Sequence, residues 1–547
     1  MESDFGEFVS RMKYITPEQM NIELQKAPEL KRYLYTKGFI ITTKQINVGE
    51  GYPFYSNWRE EKLSGQYYAY LHKDTLFHKA EKNGVTHFMI GYAYDPFHMI
   101  TDEDSLLEEM AFAFSESENA YWNRESDLTG VFLTGFISDG SISYSTDCCS
   151  MQYTCHGIIE NTFFISSHSK LLADLYNLEQ DEFVKQLVDR KMWRFYGRWL
   201  PGDLTPYAEL QRLQPNIKGE YNLQTKKLEI TRYYPQRKIE EVKTDKEYLQ
   251  RIDELGEIMS RSMNLIASKW NGKKISISVT GGRDSMTTLA CTNGLYDKFE
   301  YFSYISNEPE SIDAYAADEI CKNLGLNHDI YQIPNEWKNS QELEIFSKIL
   351  ECNSGCIGKN NANDIRKRLY FIKNSSFDVE VKSWLNEMGR GWYYRKYQKD
   401  EFPKYPTPAM LRSNYKPFIS PYILHRVEKI FCTWMDKYCG NNIFDLISWL
   451  DLYYWEFVWS GNEGLCLTSE HRVSYEIIIP FNNRKYFELM LTLPLKKRIK
   501  DQMPVDLIGK MNKRIIDSGI VIKDVNLSDF RTTLVKIYYS IFSRIRF

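Results

Sequence analysis

No stretch of this chain is both long and apolar enough to be read as a membrane span. Its most apolar window, near Ile443 to Trp459, is interrupted by Asp445, Asp451 and Glu456. The opening residues, Met1-Glu2-Ser3-Asp4-Phe5, lack the cationic and apolar segments of a secretory signal, so a cytoplasmic location and no membrane partner are expected. Ten cysteines occur singly, as the pair Cys148-Cys149 and as Cys352-x-x-x-Cys356. Without a repeated Cys-x-x-Cys they make no zinc site, and reduced, mostly buried thiols are expected. Net charge is only −4, so nothing global draws the chain to nucleic acid or an anionic membrane. Internal repeats and low-complexity tracts are absent, and the ordinary balance of 43% hydrophobic and 26% charged residues excludes a disordered or fibrous chain.

What remains is ordinary globular material in quantity. With 547 residues, 43% hydrophobic and 26% charged, the chain exceeds one core and points to two large domains. Aromatic content is 15%, with 39 tyrosines, most of them expected as amphipathic residues at core edges. Charge is uneven: Arg484 to Phe547 holds fourteen Lys/Arg against six Asp/Glu. These read as solvated helix faces, or as cations approaching phosphate or an acidic substrate.

Periodicity divides the chain. Residues 1–37 form a helical extension, with a helix start at Thr16-Pro17-Glu18 and a break at Pro28. Residues 38–240 read as β structure, with Gly130–Phe136, Ser141–Thr146, Met151–Cys155 and Thr162–Ser166 expected as four strands of one antiparallel meander. From 241 to 547 the pattern changes. Ile275–Val279 is a short apolar strand, Met286–Cys291 a helix and Glu300–Ser306 a second strand. Ser311–Leu324 is a helix with Ile312, Tyr315, Ala316, Ile320 and Leu324 on one face, and His328–Ile333 is a third strand. That alternation specifies a parallel sheet with right-handed crossovers, followed by mostly helical chain from about Glu336.

The chemistry sits between the first of these strands and its helix, at Val279-Thr280-Gly281-Gly282-Arg283-Asp284-Ser285. Glycines there let backbone N–H groups and a helix N-terminus converge on an anion. Thr280 and Ser285 add hydroxyl donors, and Asp284 is placed to hold a magnesium ion bridging phosphates. The competing reading is a plain strand-to-helix turn with a capping Asp or Ser. The motif is neither a Walker A loop, lacking Gly-Lys-Ser/Thr, nor a dinucleotide fingerprint, lacking the third glycine.

The turn resembles the pyrophosphate-gripping loop of the ATP pyrophosphatase family, usually Ser-Gly-Gly-x-Asp-Ser, with Thr280 for the leading serine. Within that family the chain resembles asparagine synthetase and its relatives. In the first half the resemblance rests on Gly91-Tyr92-Ala93-Tyr94-Asp95, Leu128-Thr129-Gly130-Val131-Phe132, Thr146-Asp147, Ser166-Ser167 with Lys170, Arg212-Leu213-Gln214-Pro215 and Arg232-Tyr233-Tyr234. In the second it rests on Asp313 to Ala317, Leu324 to His328, Ile479-Pro480-Phe481-Asn482-Asn483-Arg484 and Leu493-Pro494. The implied fold is mixed α/β and α+β in two domains. Antiparallel Ntn-hydrolase-like layers would precede a doubly wound parallel sheet of the ATP pyrophosphatase, adenine nucleotide alpha hydrolase-like, type.

Two departures stand against the family pattern. Its glutaminase uses an N-terminal cysteine, whereas here Glu2 and Ser3 follow Met1 and the first cysteine is Cys148. The first domain is therefore read as a degenerate amidotransferase-like domain without glutaminase activity. The second ATP-site loop aligns with Glu380 to Gly391, where Asn386 replaces the metal-binding aspartate, Glu387 is kept and Arg390 is added. Asp284 and Glu387 are then the implied metal ligands, with Arg390 facing phosphate or a substrate carboxylate. For the family's late catalytic lysine the order of the chain nominates Lys523, with Lys510 and Arg498 behind it. His328 and Asp329 start a strand near the nucleotide face, and a structural role is expected of His328.

The resemblance implies an AMP- and pyrophosphate-forming carbon–nitrogen ligase that uses ATP and Mg²⁺. It would join a small-molecule or peptide carboxylate to ammonia or an amine, and the family leaves room for a homodimer. The alternatives are a peptide macrocyclase or β-lactam-forming relative, an RNA-modifying relative disfavoured by the acidic balance, and a non-catalytic ATP-binding protein.

Overall fold

Thr16 caps the first helix, Pro17–Lys26, by accepting the Gln19 N–H while the Gln19 side chain accepts the Thr16 N–H, and Pro28 opens the 3₁₀ turn that follows it. The computed structural model describes residues 14–190, 193, 197–335, 340–357, 362–440, 443–519 and 529–547. Among the described residues seventeen strands follow this helix: β1 Phe39–Thr42, β2 Trp58–Ser64, β3 Tyr67–His72, β4 Phe77–Lys82, β5 Val85–Tyr94, β6 Thr129–Ser138, β7 Ser141–Thr146, β8 Cys155–Ile159, β9 Thr162–Ser166, β10 Leu210–Arg212, β11 Ile217–Asn222, β12 Lys227–Arg232, β13 Ile275–Ser278, β14 Glu300–Ile305, β15 Asp329–Gln332, β16 Val379–Val381 and β17 Glu476–Ile478.

The first twelve make two six-stranded antiparallel sheets, in the orders β10-β8-β9-β1-β3-β2 and β12-β11-β7-β6-β5-β4. Their inner faces share one core. In β5, Phe88, Ile90, Tyr92 and Tyr94 point into it, while Val85, Met89 and Ala93 point the other way onto helices Glu103–Glu116 and Glu118–Glu125. The outer face of the other sheet, through Ile40, Tyr70 and Phe164, packs on helix Ser169–Tyr176. The result is four layers, helix, sheet, sheet, helix.

This arrangement corrects the single meander expected from the sequence. Strands β6 and β7 lie in one sheet and β8 and β9 in the other, and Met151 to Thr154 is not strand. Buried Asp147 causes the switch. Its carboxylate collects the N–H groups of Cys149, Met151 and Gln152 as well as Phe132, so residues 147–152 wrap around it and carry the chain across.

The remaining strands form a parallel sheet, β15-β14-β13-β16-β17. Helix Asp245–Lys269 leads into it from a Thr244/Glu247 capping box, and helix Glu308–Leu324 ends on Gly325 at φ 78°, a left-handed cap that suits glycine. The latter helix buries Ala314, Ala317, Ile320, Cys321 and Leu324, whereas Ile312 and Tyr315 are exposed. The expected face was thus rotated, because the small Ala314 and Ala317 let the helix approach the sheet. Nine cysteines are buried, Cys432 is exposed, and none is bridged.

The halves interlock through Asn482, Asn483 and Arg484. Asn482 Nδ2 donates to Gly130 O at 2.6 Å and Asp147 Oδ1 at 2.8 Å, and Asn483 Nδ2 to Asp127 O at 2.7 Å. Arg484, 1% exposed, meets Glu125 at 2.6 Å, Asn216 at 3.2 Å and Thr146 O at 2.9 Å. Removing one partner of a buried pair leaves the other charged and unsolvated. Arg484→Ala is therefore expected to destabilise by about 3–5 kcal/mol, read as an earlier urea transition; a loss under about 1 kcal/mol would mean that this pair does not hold the halves together.

Candidate functional site

Strand β13 is the point where the parallel sheet reverses its order: the chain runs outward through β14 and β15 and returns on the other side through β16 and β17. Open α/β sheets place ligands beyond the carboxyl ends of their strands at such a point. The Thr280-Gly281-Gly282 turn leaves β13 there and enters helix Arg283–Cys291, whose first N–H groups have no intrahelical acceptor.

Neither glycine of the turn has positive φ; Gly282 is extended at φ −85° and ψ 153°. Close approach, not dihedral freedom, explains Gly281: a Cβ there would lie 3.2 Å from Ala316 Cβ and 3.4 Å from Asp313 Oδ1. The hydroxyls brace the turn itself. Ser285 Oγ accepts the Thr280 N–H at 3.1 Å and lies 2.8 Å from Thr280 O, and Thr280 Oγ1 accepts the Gly282 N–H at 3.2 Å.

Asn386, Glu387 and Arg390 come to the same place. They lie on a 3₁₀ turn, Asn386–Arg390, flanked by Leu385 at φ 77° and Gly391 at φ 58°. Leu385 is fully buried and left-handed, a strained geometry that surrounding structure must hold. Asn386 Nδ2 donates to Asp284 Oδ1 at 3.0 Å and Arg390 Nη1 to Asp284 Oδ2 at 3.0 Å. Arg390 is held from behind by Asp501, with Nε at 2.7 Å and Nη2 at 2.8 Å, and Arg283 and Arg395 also reach Asp501 at 2.7 Å. Arg498 pairs with Asp451 at 2.7 Å and donates to Gly389 O, so it braces the turn from outside the cavity. Lys510 pairs with Asp253 on the surface, and His328 bonds Ser303 and Asp318. Lys523 lies outside the described residues.

Between the turns is a cavity of about 460 Å³, with Asp284, Glu387, Lys382, Trp384, Trp459 and Glu463 among its walls. Burial and the Asp284 charge push the Glu387 carboxyl up to about 8, against the pull of Arg390, although about a third of its side chain (35%) faces the cavity. Burial also raises Asp284 and Glu463 and lowers Lys382, which is paired with Glu380 at 2.8 Å. This donor set fits one divalent cation. Each carboxylate oxygen has two lone pairs, so Asp284 keeps acceptor capacity beyond Asn386 and Arg390, and a cation would relieve the repulsion raising Glu387. The one cluster of three metal-type ligands among the described residues, Asp95, His98 and Asp127, lies elsewhere; its Asp95 is already paired with Arg124 at 2.6 Å and His98 at 2.8 Å.

A second cavity of about 340 Å³ shares Tyr304 and Glu463 with the first and is lined by Arg198, Lys367, Arg368 and His471. Arg198 pairs with Glu470, and Lys367 with Glu310 and Asp364 at 2.9 Å. Arg368 is 5% exposed; Nη2 is 3.4 Å from His471 Nε2, and its Nε has no acceptor among the described residues. Trp459 lines the first cavity and Glu463 lines both, from a π-helical stretch, Tyr454–Gly464, a wide winding frequent at functional sites. Neither residue was singled out from sequence. The acids interrupting the apolar window at 443–459 were the available signal, whereas Asp501 and Arg395 had none.

No protein-family model matches the chain, and no curated protein matches its sequence. A solved structure described as the allosteric regulatory enzyme of purine biosynthesis is 10% identical, with a TM-score of 0.23 over 49% of this chain and 59% of its own length. The glutamine phosphoribosylpyrophosphate amidotransferase from B. subtilis, complexed with ADP and GMP, is 9% identical, with a TM-score of 0.22 over 70% of this chain and 76% of its own. The present chain thus spans about three fifths (59%) of the first. The reading of the site rests on its own residues.

Glu387 supplies a pH test. The folded chain holds its proton more tightly than the unfolded chain, whose carboxyl titrates near 4.5, so this contribution to stability is complete below about 4.5 and lost as pH rises through about 8. In metal-free buffer thermal stability should decline across that window, and Glu387→Gln should flatten the decline. Parallel melting profiles for both proteins would show that another group titrates.

Proposed function

We propose that the chain is an ATP-dependent carbon–nitrogen ligase that activates a carboxylate as its acyl-adenylate and passes the acyl group to an amine or ammonia. The observation carrying this reading is the convergence of Asp284, on the glycine turn of β13, with Glu387 and Arg390 at the switch point of the parallel sheet. The asparagine synthetase-like ATP pyrophosphatase resemblance of the turn agrees with it.

In this reading ATP lies in the larger cavity, its β and γ phosphates against the first turn of helix Arg283–Cys291. Magnesium, held by Asp284 and Glu387, would neutralise phosphate charge. Arg390, immobilised by Asp501, supplies fixed positive charge beside the same oxygens without reorganising. The acid enters through the smaller cavity, where Arg368 offers an unused donor to an anionic group. Its carboxylate oxygen attacks the α-phosphorus and pyrophosphate leaves. The amine then attacks the acyl carbon, AMP leaves, and the amine gives up a proton. Bringing the two chambers together at Glu463 and Tyr304 supplies proximity. The N-terminal domain is a degenerate amidotransferase-like support, and glutamine should yield no glutamate.

The test is incubation with Mg²⁺, ATP and a panel of carboxylates, with hydroxylamine to trap activated acyl groups. AMP and pyrophosphate are expected, and ADP with phosphate would reject adenylation. Asp284→Ala should cut pyrophosphate release by about 10²-fold or more with an unchanged circular dichroism spectrum. Arg368→Ala should raise KM for the acid about tenfold while leaving nucleotide binding intact; an unchanged KM would place the acid elsewhere.

A further inference from the structure

Helix Asp529–Phe542 packs one face inward, with Tyr539 4.4 Å from the Tyr397 ring, and leaves another face uncovered. Leu534, Ile537 and Ile541 are 51%, 50% and 48% exposed at one-turn and two-turn spacing, and Ile545 and Phe547 continue the stripe. Ile419, 79% exposed, and Tyr422 extend it, because Tyr538 Oη donates to Phe418 O at 2.8 Å. Seven of the seventeen exposed large hydrophobic side chains among the described residues therefore fall on this one face. It is not a frayed end: Arg412 donates to Ile545 O at 3.0 Å, and the Phe547 N–H to Glu428 at 3.3 Å.

Positive charge predominates on this face. After Asp529 at the start of the helix, the sequence to Phe547 has Arg531, Lys536, Arg544 and Arg546 and no further acid. Exposed Arg544 and Arg546 alternate with Ile545 and Phe547, and the open side of helix Pro421–Tyr438 adds His425, Arg426 and Lys429, with a single exposed acid, Asp436, two turns further along. The carboxylate at this joint, Glu428, is engaged by Arg412.

We infer that this face docks peripherally on an anionic lipid surface. A helix of 14 residues is about 21 Å long, too short to cross a bilayer core of roughly 30 Å, and no described helix is long and apolar enough to do so. An aliphatic stripe bordered by arginines instead suits a helix lying in the headgroup plane. A second copy of the chain on the same face would set these cations against their own counterparts, whereas anionic headgroups answer the charge and acyl chains the stripe. The inference is independent of the proposed ligase activity.

The test is co-sedimentation of the full chain with phosphatidylglycerol–phosphatidylcholine vesicles and with pure phosphatidylcholine vesicles. Binding to the anionic vesicles is expected, weakening with added salt. Arg544→Glu with Arg546→Glu, and separately Ile537→Glu with Ile541→Glu, should each lower it about tenfold or more at unchanged melting temperature. Should the second pair unfold the helix, Ile545→Glu with Phe547→Glu, beyond its end, carries the same expectation. Equal binding to neutral vesicles, no binding to either, or a wild-type dimer by light scattering that these substitutions turn monomeric would overturn the inference.

Discussion

Arg484 is a full positive charge sealed from water, and the structure around it exists to keep that charge satisfied. Glu125 comes from a helix of the first half, Asn216 from the entry to β11 and the Thr146 carbonyl from the end of β7, so elements distant in sequence must be in register before the guanidinium can be buried. Such a group adds little net stability over an apolar replacement, but an incomplete version is costly. It therefore works as a condition on assembly. Asn482 extends the condition to Asp147, whose turn carries the chain between the two antiparallel sheets, and Asn483 extends it to the Asp127 carbonyl.

A second set of buried arginines transmits this register to the cavity. Arg232 meets Glu456 at 2.6 Å, and Arg212 meets Ser460 at 2.6 Å and the Glu456 carbonyl at 3.1 Å. Both partners lie in the π-helical stretch that turns Trp459 and Glu463 into the cavity wall. A wide helix lengthens poorly aligned hydrogen bonds, and here side chains from the first half hold it open. The first half, lacking a cysteine near its start, still shapes the cavity through these contacts.

At the cavity the charges are arranged as a chain. Asp284 faces Arg390, Arg390 rests on Asp501, and Asp501 is shared with Arg283 and Arg395. Fixing a guanidinium on two carboxylates removes its freedom in advance, so Arg390 can face an anion in the cavity without rearranging. Asn386 contributes an amide donor to Asp284 where the resembled family has an aspartate. The substitution reduces negative charge beside Asp284 while Arg390 adds positive charge, so the two changes act in the same direction.

Local chemistry made much of this legible in advance. Thr16 announced a helix start because its cap is satisfied within a few residues, and the strand–turn–helix at β13 was readable because hydrophobic periodicity and glycines are local signals. The sequence by itself also brought Asp284, Glu387 and Arg390 onto one list, through the motifs around them. What it did not determine was any pairing closed over long loops. The rotated face of helix Glu308–Leu324, the hold of Asp501 on Arg390 and the opening of the π-helix by Arg212 and Arg232 each depend on a partner tens to hundreds of residues away. Only the tertiary structure decides these, because a buried charge or close-packed face selects its partner by desolvation and shape, neither of which is written in the residues flanking it.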